Sequence, residues 1–87
     1  MGEPPLHEVV SDGVTVWVNT AWGCIGRFGT NGIDIHKEPS SRKAPTNECL
    51  FCTHGTVTRS DWDLFVQKML ELYGVRVQDL HLPKRFR

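Results

Sequence analysis

The chain has 87 residues, ten basic and ten acidic side chains and no formal net charge, so no global field favours nucleic acid or an anionic membrane. A single domain of this length has a small core, although three Trp, four Phe and one Tyr can each bury about 150–250 Å². No apolar run approaches the roughly 18 residues that span a bilayer, and three cysteines, an odd number, suit a reducing cytoplasm better than a disulfide framework.

Met1-Gly2-Glu3-Pro4-Pro5 has neither the basic nor the apolar region of a signal peptide. Its two prolines predict a flexible, extended arm over residues 1–5. Leu6 to Val10 reads as a strand, and Asp12-Gly13 carries the signature of a type I′ hairpin. Val14, Val16 and Val18 alternate with Thr15, Trp17 and Asn19, the period of a strand with one buried face. Trp17 falls on the other face, where cover by the helix or the tail is expected.

A turn with Trp22 at its tip leads into Cys24-Ile25-Gly26-Arg27-Phe28-Gly29, and Asn31-Gly32 predicts a second hairpin turn. On the returning strand Ile33 and Ile35 share one face while Asp34 and His36 share the other. Glycines 23, 26, 29 and 32 recur every three residues. A dinucleotide fingerprint needs a helix directly after the glycines, whereas Ile33 to His36 reads as a strand, so a tight, twisted hairpin explains them better.

Residues 37–48 are polar and aperiodic and read as a surface loop. A helix is predicted over 59–73, with Thr58 as N-cap, Asp61 three residues later, and Val57 and Trp62 as a hydrophobic staple. Trp62, Phe65, Val66, Met69, Leu70 and Tyr73 form its apolar stripe, and Gly74 stops it. Val75, Val77, Leu80 and Leu82 suggest an extended return to the sheet before a basic tail at 83–87. The expected fold is therefore α+β: a single domain with an antiparallel sheet of three to five strands in two hairpins, one C-terminal helix on one face, and a zinc staple.

The staple is read from His36, Cys49, Cys52 and His54, four borderline donors within nineteen residues of the kind that make tetrahedral zinc sites. Cys24 and Asp34 are reserve ligands, because His54 lies only two residues beyond Cys52; Asp34 can alternatively orient His36. A metal here would also tie the 37–48 loop. Competing chemistries fit less well. Thr53 separates the C-x-x-C from the histidine that haem attachment requires, the βαβ setting of a thioredoxin-type pair is missing, and Asp34-Ile35-His36 reverses the order found in zinc deaminases. The chain thus reads as a binding module rather than as a zinc-dependent hydrolase or deaminase-like enzyme. Trp22, Arg27 and Phe28 are candidate anchors for a protein partner, with core packing the alternative for Phe28. A nucleic-acid reading would use Arg42, Lys43, Arg59, Lys84, Arg85 and Arg87, but no known reading motif accompanies them.

Gly26-Arg27-Phe28-Gly29, Gly32-Ile33-Asp34-Ile35-His36, Cys49-Leu50-Phe51-Cys52-Thr53-His54-Gly55 and Asp61-Trp62-Asp63-Leu64-Phe65 together resemble a group of small uncharacterised proteins encoded by bacteriophages and prophage-bearing bacteria. The resemblance spans residues 14 to about 75 and implies a small accessory protein in a bacterial or phage-infected cytoplasm.

Overall fold

Alternation of apolar and polar residues builds the sheet, and three short turns, at 12–15, 21–22 and 30–31, set its register. The computed structural model describes residues 7–40 and 49–86. Five strands, β1 (Glu8–Ser11), β2 (Val16–Thr20), β3 (Gly23–Gly29), β4 (Gly32–Ser40) and β5 (Cys49–Cys52), form one antiparallel meander in sequence order. Helix α1 (Arg59–Tyr73) follows, then two short 3-10 turns at Asp79–His81 and Lys84–Phe86. The α+β expectation holds, at the upper end of the strand range. The 1–5 arm, most of the 37–48 loop and Arg87 lie outside the described residues.

Both hairpins differ from their predicted turn types. Among the described residues, none other than glycine has positive φ, which a type I′ turn requires at both central positions. In the first hairpin the Asp12 carboxylate instead accepts from the amides of Val14 (2.8 Å) and Thr15 (2.7 Å), closing a four-residue loop in which only Gly13 is left-handed. In the second, Thr30 and Asn31 make the turn and Gly32 follows it at φ +133°, paired with Gly29. Here glycine is obligatory, because a Cβ at Gly32 would lie 2.2 Å from the Thr53 carbonyl oxygen. That closeness serves a clamp: Thr53 N–H donates to Ile33 O (2.9 Å), Gly55 N–H to Asn31 O (3.1 Å), and Ile33 N–H to Thr53 Oγ1 (3.1 Å).

Strand β4 runs on to Ser40, so residues 37–40 are strand rather than loop. Cys24 pairs with Ser40 while Gly26 pairs with Ile35, so 36–39 bow away from β3. Pro39, which has no N–H to give to a ladder, sits in this bowed stretch, a place where sheets tolerate proline.

Val16 and Val18 face Phe28, Ile33 and Ile35 on one side of the sheet, and α1 packs over them through Trp62, Phe65 and Met69, all buried. Gly26 makes the approach possible: a Cβ there would meet Met69 Sδ at 2.7 Å. The helix has its predicted limits and a complete capping box, with Gly74 left-handed at its end. The Val57 and Trp62 of the expected staple are both buried in the core. Leu70 is half exposed and does not belong to the packed stripe.

The segment after the helix does not rejoin the sheet. Val75, Val77 and Leu82 are buried, but Leu80 points outward in a 3-10 turn. The expected tail is docked as well, since Pro83 is fully buried, Lys84 N–H donates to Gly13 O (3.1 Å), and Phe86 packs on Phe28. Helix and tail thus share the valine face, leaving the Trp17 face without the cover expected for it among the described residues.

Gly32→Ala is expected to lower unfolding free energy by more than about 2 kcal/mol, combining a disfavoured φ with a backbone clash, and Thr58→Ala by about 1 kcal/mol through loss of the cap; urea denaturation measures both. The Thr15 and Val14 amides hold the Asp12 carboxyl below its ordinary pKa of 3.8. Depression on folding makes ionised Asp12 stabilising above the unfolded pKa and less so as pH falls through the folded one. Asp12→Asn should therefore flatten the acid limb of stability below pH 3.8, read by thermal melts across pH.

Candidate metal centre at the sheet edge

Two cysteines three residues apart on a regular strand point to opposite faces, and a tight C-x-x-C turn is one way of bringing them together. The structure uses another. Cys49-Leu50-Phe51-Cys52 is the edge strand β5, in which Cys52 pairs with Asp34, Phe51 with Ile35, and Cys49 with His36. One step along β4 from Ile35 to His36 thus corresponds to two steps along β5, so Leu50 is the extra residue of a β-bulge. The extra residue resets the alternation and turns Cys49 to the side of Cys52, opposite the core face where Ile35 lies.

As a result Asp34, Cys49 and Cys52 offer a carboxylate oxygen and two sulfurs that all lie within 4.8 Å of one another. They are close enough to hold a metal ion. Tetrahedral zinc, at about 2.3 Å from each sulfur, sets two thiolates about 3.8 Å apart, so the side chains need close by only about 1 Å. Among the described residues no other group of three or more such donors converges in this way.

The predicted ligands divide accordingly. Cys49 and Cys52 converge, and Asp34, ranked in reserve, is the third donor. His54 is exposed and outside the group, because the chain leaves β5 at Cys52 and the Thr53–Gly55 clamp carries it toward Asn31. Cys24 is also outside it, since its register partner is Ser40, well past His36; its thiol donates to Gly26 O (3.3 Å), and burial pushes its pKa up. His36 does not fall within the 4.8 Å group either. It stands directly across from Cys49, however, and its Nδ1 is buried without a hydrogen-bond partner, a state that costs about 1–3 kcal/mol when nothing relieves it. The backbone at His36 is held by the Tyr73 hydroxyl, which donates to its carbonyl oxygen. Burial first, and then the charge of Glu38, raise the Tyr73 pKa and keep that donor protonated.

Local electrostatics do not make Cys49 a nucleophile. Desolvation, then the Cys52 thiol, then Asp34 raise its pKa, whereas reactive cysteines sit in electropositive surroundings that lower theirs. Arg27, across the sheet from Asp34, pairs with that carboxylate at 2.5 Å. A carboxylate has two oxygens and about four lone-pair sites, enough to serve both the guanidinium and a metal.

The other predicted contact residues also divide. Trp22, 66% exposed at the β2–β3 turn, and Arg27 on the uncovered face are accessible. Phe28 is completely buried, with ring centroids 5.1 Å from Trp62, 5.7 Å from Phe65 and 5.8 Å from Phe86, and is a core residue rather than an anchor. Its pairing with Ile33 was the available signal, since apolar residues opposite each other across a hairpin share a buried face. Of the basic set, Arg59 donates to Phe86 O (3.4 Å) and Lys84 lies against Gly13, so these two help to dock the tail, while Arg85 stacks over the neighbouring Phe86 ring. Arg42, Lys43 and Arg87 lie outside the described residues.

Fold and site define a small α+β domain with a thiol and carboxylate cluster at the edge of an antiparallel meander. No protein family, curated protein or solved structure matches the chain. No helix among the described residues is long and apolar enough to cross a membrane.

Inserting one alanine between Ile35 and His36 would give Leu50 a partner on β4 and is expected to restore regular pairing and send Cys49 to the opposite face. Phenylarsine oxide, which bridges two close thiols, tests this: the wild type should capture one equivalent through both cysteines and the insertion variant should not. Equal capture by the two would show that the bulge does not set the dithiol.

Proposed function

We propose that this protein is a small zinc-stabilised binding module that engages a protein partner. Zinc would be held by Cys49, Cys52 and Asp34, and His36 is the fourth ligand in this reading because its buried, unpartnered Nδ1 lies across the register from Cys49. The observation that carries the proposal is the convergence of three donors on an edge strand by means of a bulge. Two thiolates with a borderline nitrogen and one oxygen suit zinc better than the hard cations, which prefer all-oxygen sets. Four protein ligands would close the coordination sphere, as in structural rather than catalytic sites.

The staple has a purpose in so small a chain. Among the described residues strand β5 joins the sheet along one side only, and structural zinc contributes about 10–16 kcal/mol of apparent binding free energy, against about 5–15 kcal/mol for the whole net stability of a domain. Partner recognition is assigned to the uncovered face, where Trp17 and Arg27 are cross-strand neighbours, and to exposed Trp22, since Trp and Arg are common interface anchors. A phage or prophage accessory role in a bacterial cytoplasm remains part of the proposal. The nucleic-acid alternative is weaker than it was on sequence, because Arg59, Lys84 and Arg85 have structural contacts.

The test is metal content by mass spectrometry, with cobalt substitution to report the ligands. One equivalent of zinc is expected, lost in Cys49→Ser and Cys52→Ser, weakened in His36→Ala and retained in His54→Ala, and a chelator should lower the melting temperature. Protein purified without zinc, unable to take up cobalt and unchanged in melting by chelator, would overturn the reading.

A further inference from the structure

A second site lies on the same uncovered face, two strands in from the edge. Gly29 and Gly32 pair across the β3–β4 hairpin, and without side chains there the sheet surface drops into a hollow of about 140 Å³. Thr15, Trp17, Arg27, Thr30 and Asn31 line it around the two glycines. No acidic side chain lines it. At about 30 Å³ per water in the liquid, it has room for four or five waters, the scale of one functional group and not of a whole cofactor.

We propose that this hollow binds a carboxylate carried on an aromatic or apolar body. Arginine has five N–H donors in a planar fork. Nη2 of Arg27 bonds Asp34 Oδ2, and that bond fixes the guanidinium plane while the fork retains further donors for a second carboxylate on its other side. Thr15, Thr30 and Asn31, which line the same space, carry uncharged side-chain donors. A single cation with neutral donors suits a singly charged carboxylate better than a phosphate dianion. Asp34 already neutralises Arg27, so charge alone does not draw an anion here; the indole of Trp17 supplies apolar contact, which selects an acid with a ring or hydrocarbon body. A free aromatic acid and the C-terminus of a partner peptide carry this same chemistry.

The site shares Trp17 and Arg27 with the proposed partner surface; none of its lining residues is a proposed metal ligand, and it meets the metal cluster only through the Arg27–Asp34 ion pair. The experiment titrates the protein as purified, its metal content measured in parallel, with benzoate, with acetate, with a short peptide ending in a free phenylalanine carboxylate, and with the same peptide amidated. Binding is followed by calorimetry and by the indole N–H resonance of Trp17. Saturable binding of benzoate with a shift of the Trp17 signal is expected, with acetate weaker and the amidated peptide inert. Tighter binding of the free-carboxylate peptide than of benzoate identifies a peptide terminus as the ligand, and the reverse identifies a free acid. Arg27→Gln should weaken binding about tenfold or more, the loss of a charge-assisted bond, and Gly29→Ala should weaken it by filling the floor, where a Cβ meets Thr15 at 3.4 Å. Both substitutions lie off the valine face and should leave the helical circular dichroism unchanged. No saturable shift in the wild type, equal binding by Arg27→Gln, or equal binding of the amidated peptide would each overturn the proposal. A zinc-loaded protein that ignores benzoate refutes this site alone, and a zinc-free protein that binds it refutes the metal reading alone.

Discussion

The ring of Phe28 is where the separate parts of this domain meet. It projects from the middle strand, opposite Val16 on one side and Ile33 on the other, and takes Trp62 and Phe65 from the helix and Phe86 from the tail. An edge-to-face contact such as Phe28–Trp62 adds about 0.5–1.5 kcal/mol beyond the area it buries, but its larger consequence is geometric. Because helix and tail both converge on one ring, both lie on the same face of the sheet. The opposite face keeps Trp17, Arg27, Asp34 and the two β5 cysteines, and both the metal cluster and the hollow lie on it because of that asymmetry.

What could be read in the sequence was what depends on near neighbours. The capping box of Thr58 and Asp61 and the Gly74 stop are local hydrogen-bonding devices, and they fixed the helix to its limits. Val16 and Val18 announced their strand by period alone. What escaped depends on pairing between distant segments. Cys49-Leu50-Phe51-Cys52 is too short to declare itself a strand and becomes one only against β4. The bulge at Leu50 arises from how the two strands fit, and nothing in the residue types foretells it; Asp34 was for that reason undervalued beside His54. Phe28 was legible in principle, since a hairpin turning at Thr30 and Asn31 sets it opposite Ile33. The hairpin turns misled because Asp12-Gly13 and Asn31-Gly32 have the composition of a tight primed turn, while the Asp12 carboxylate and the Thr53 clamp favour other geometries.

Asp34 occupies an unusual position among these parts. It faces Cys52 on one side and Arg27 on the other, so the cluster at the edge and the hollow in the middle of the face are joined by the Arg27–Asp34 ion pair. A ligand that moved one member of that pair would be felt by a ligand on the other, and linkage requires that such an influence be returned in equal measure.

The bulge at Leu50 carries one more consequence. An edge strand with a regular row of unpaired amides and carbonyls is a template on which a second molecule can add its own strand, and proteins commonly blunt such edges with short strands and bulges. Strand β5 has four residues, one of them out of step and carrying an exposed leucine. The irregularity that gathers the two thiols therefore also interrupts the ladder that a neighbouring copy would need in order to polymerise along that edge.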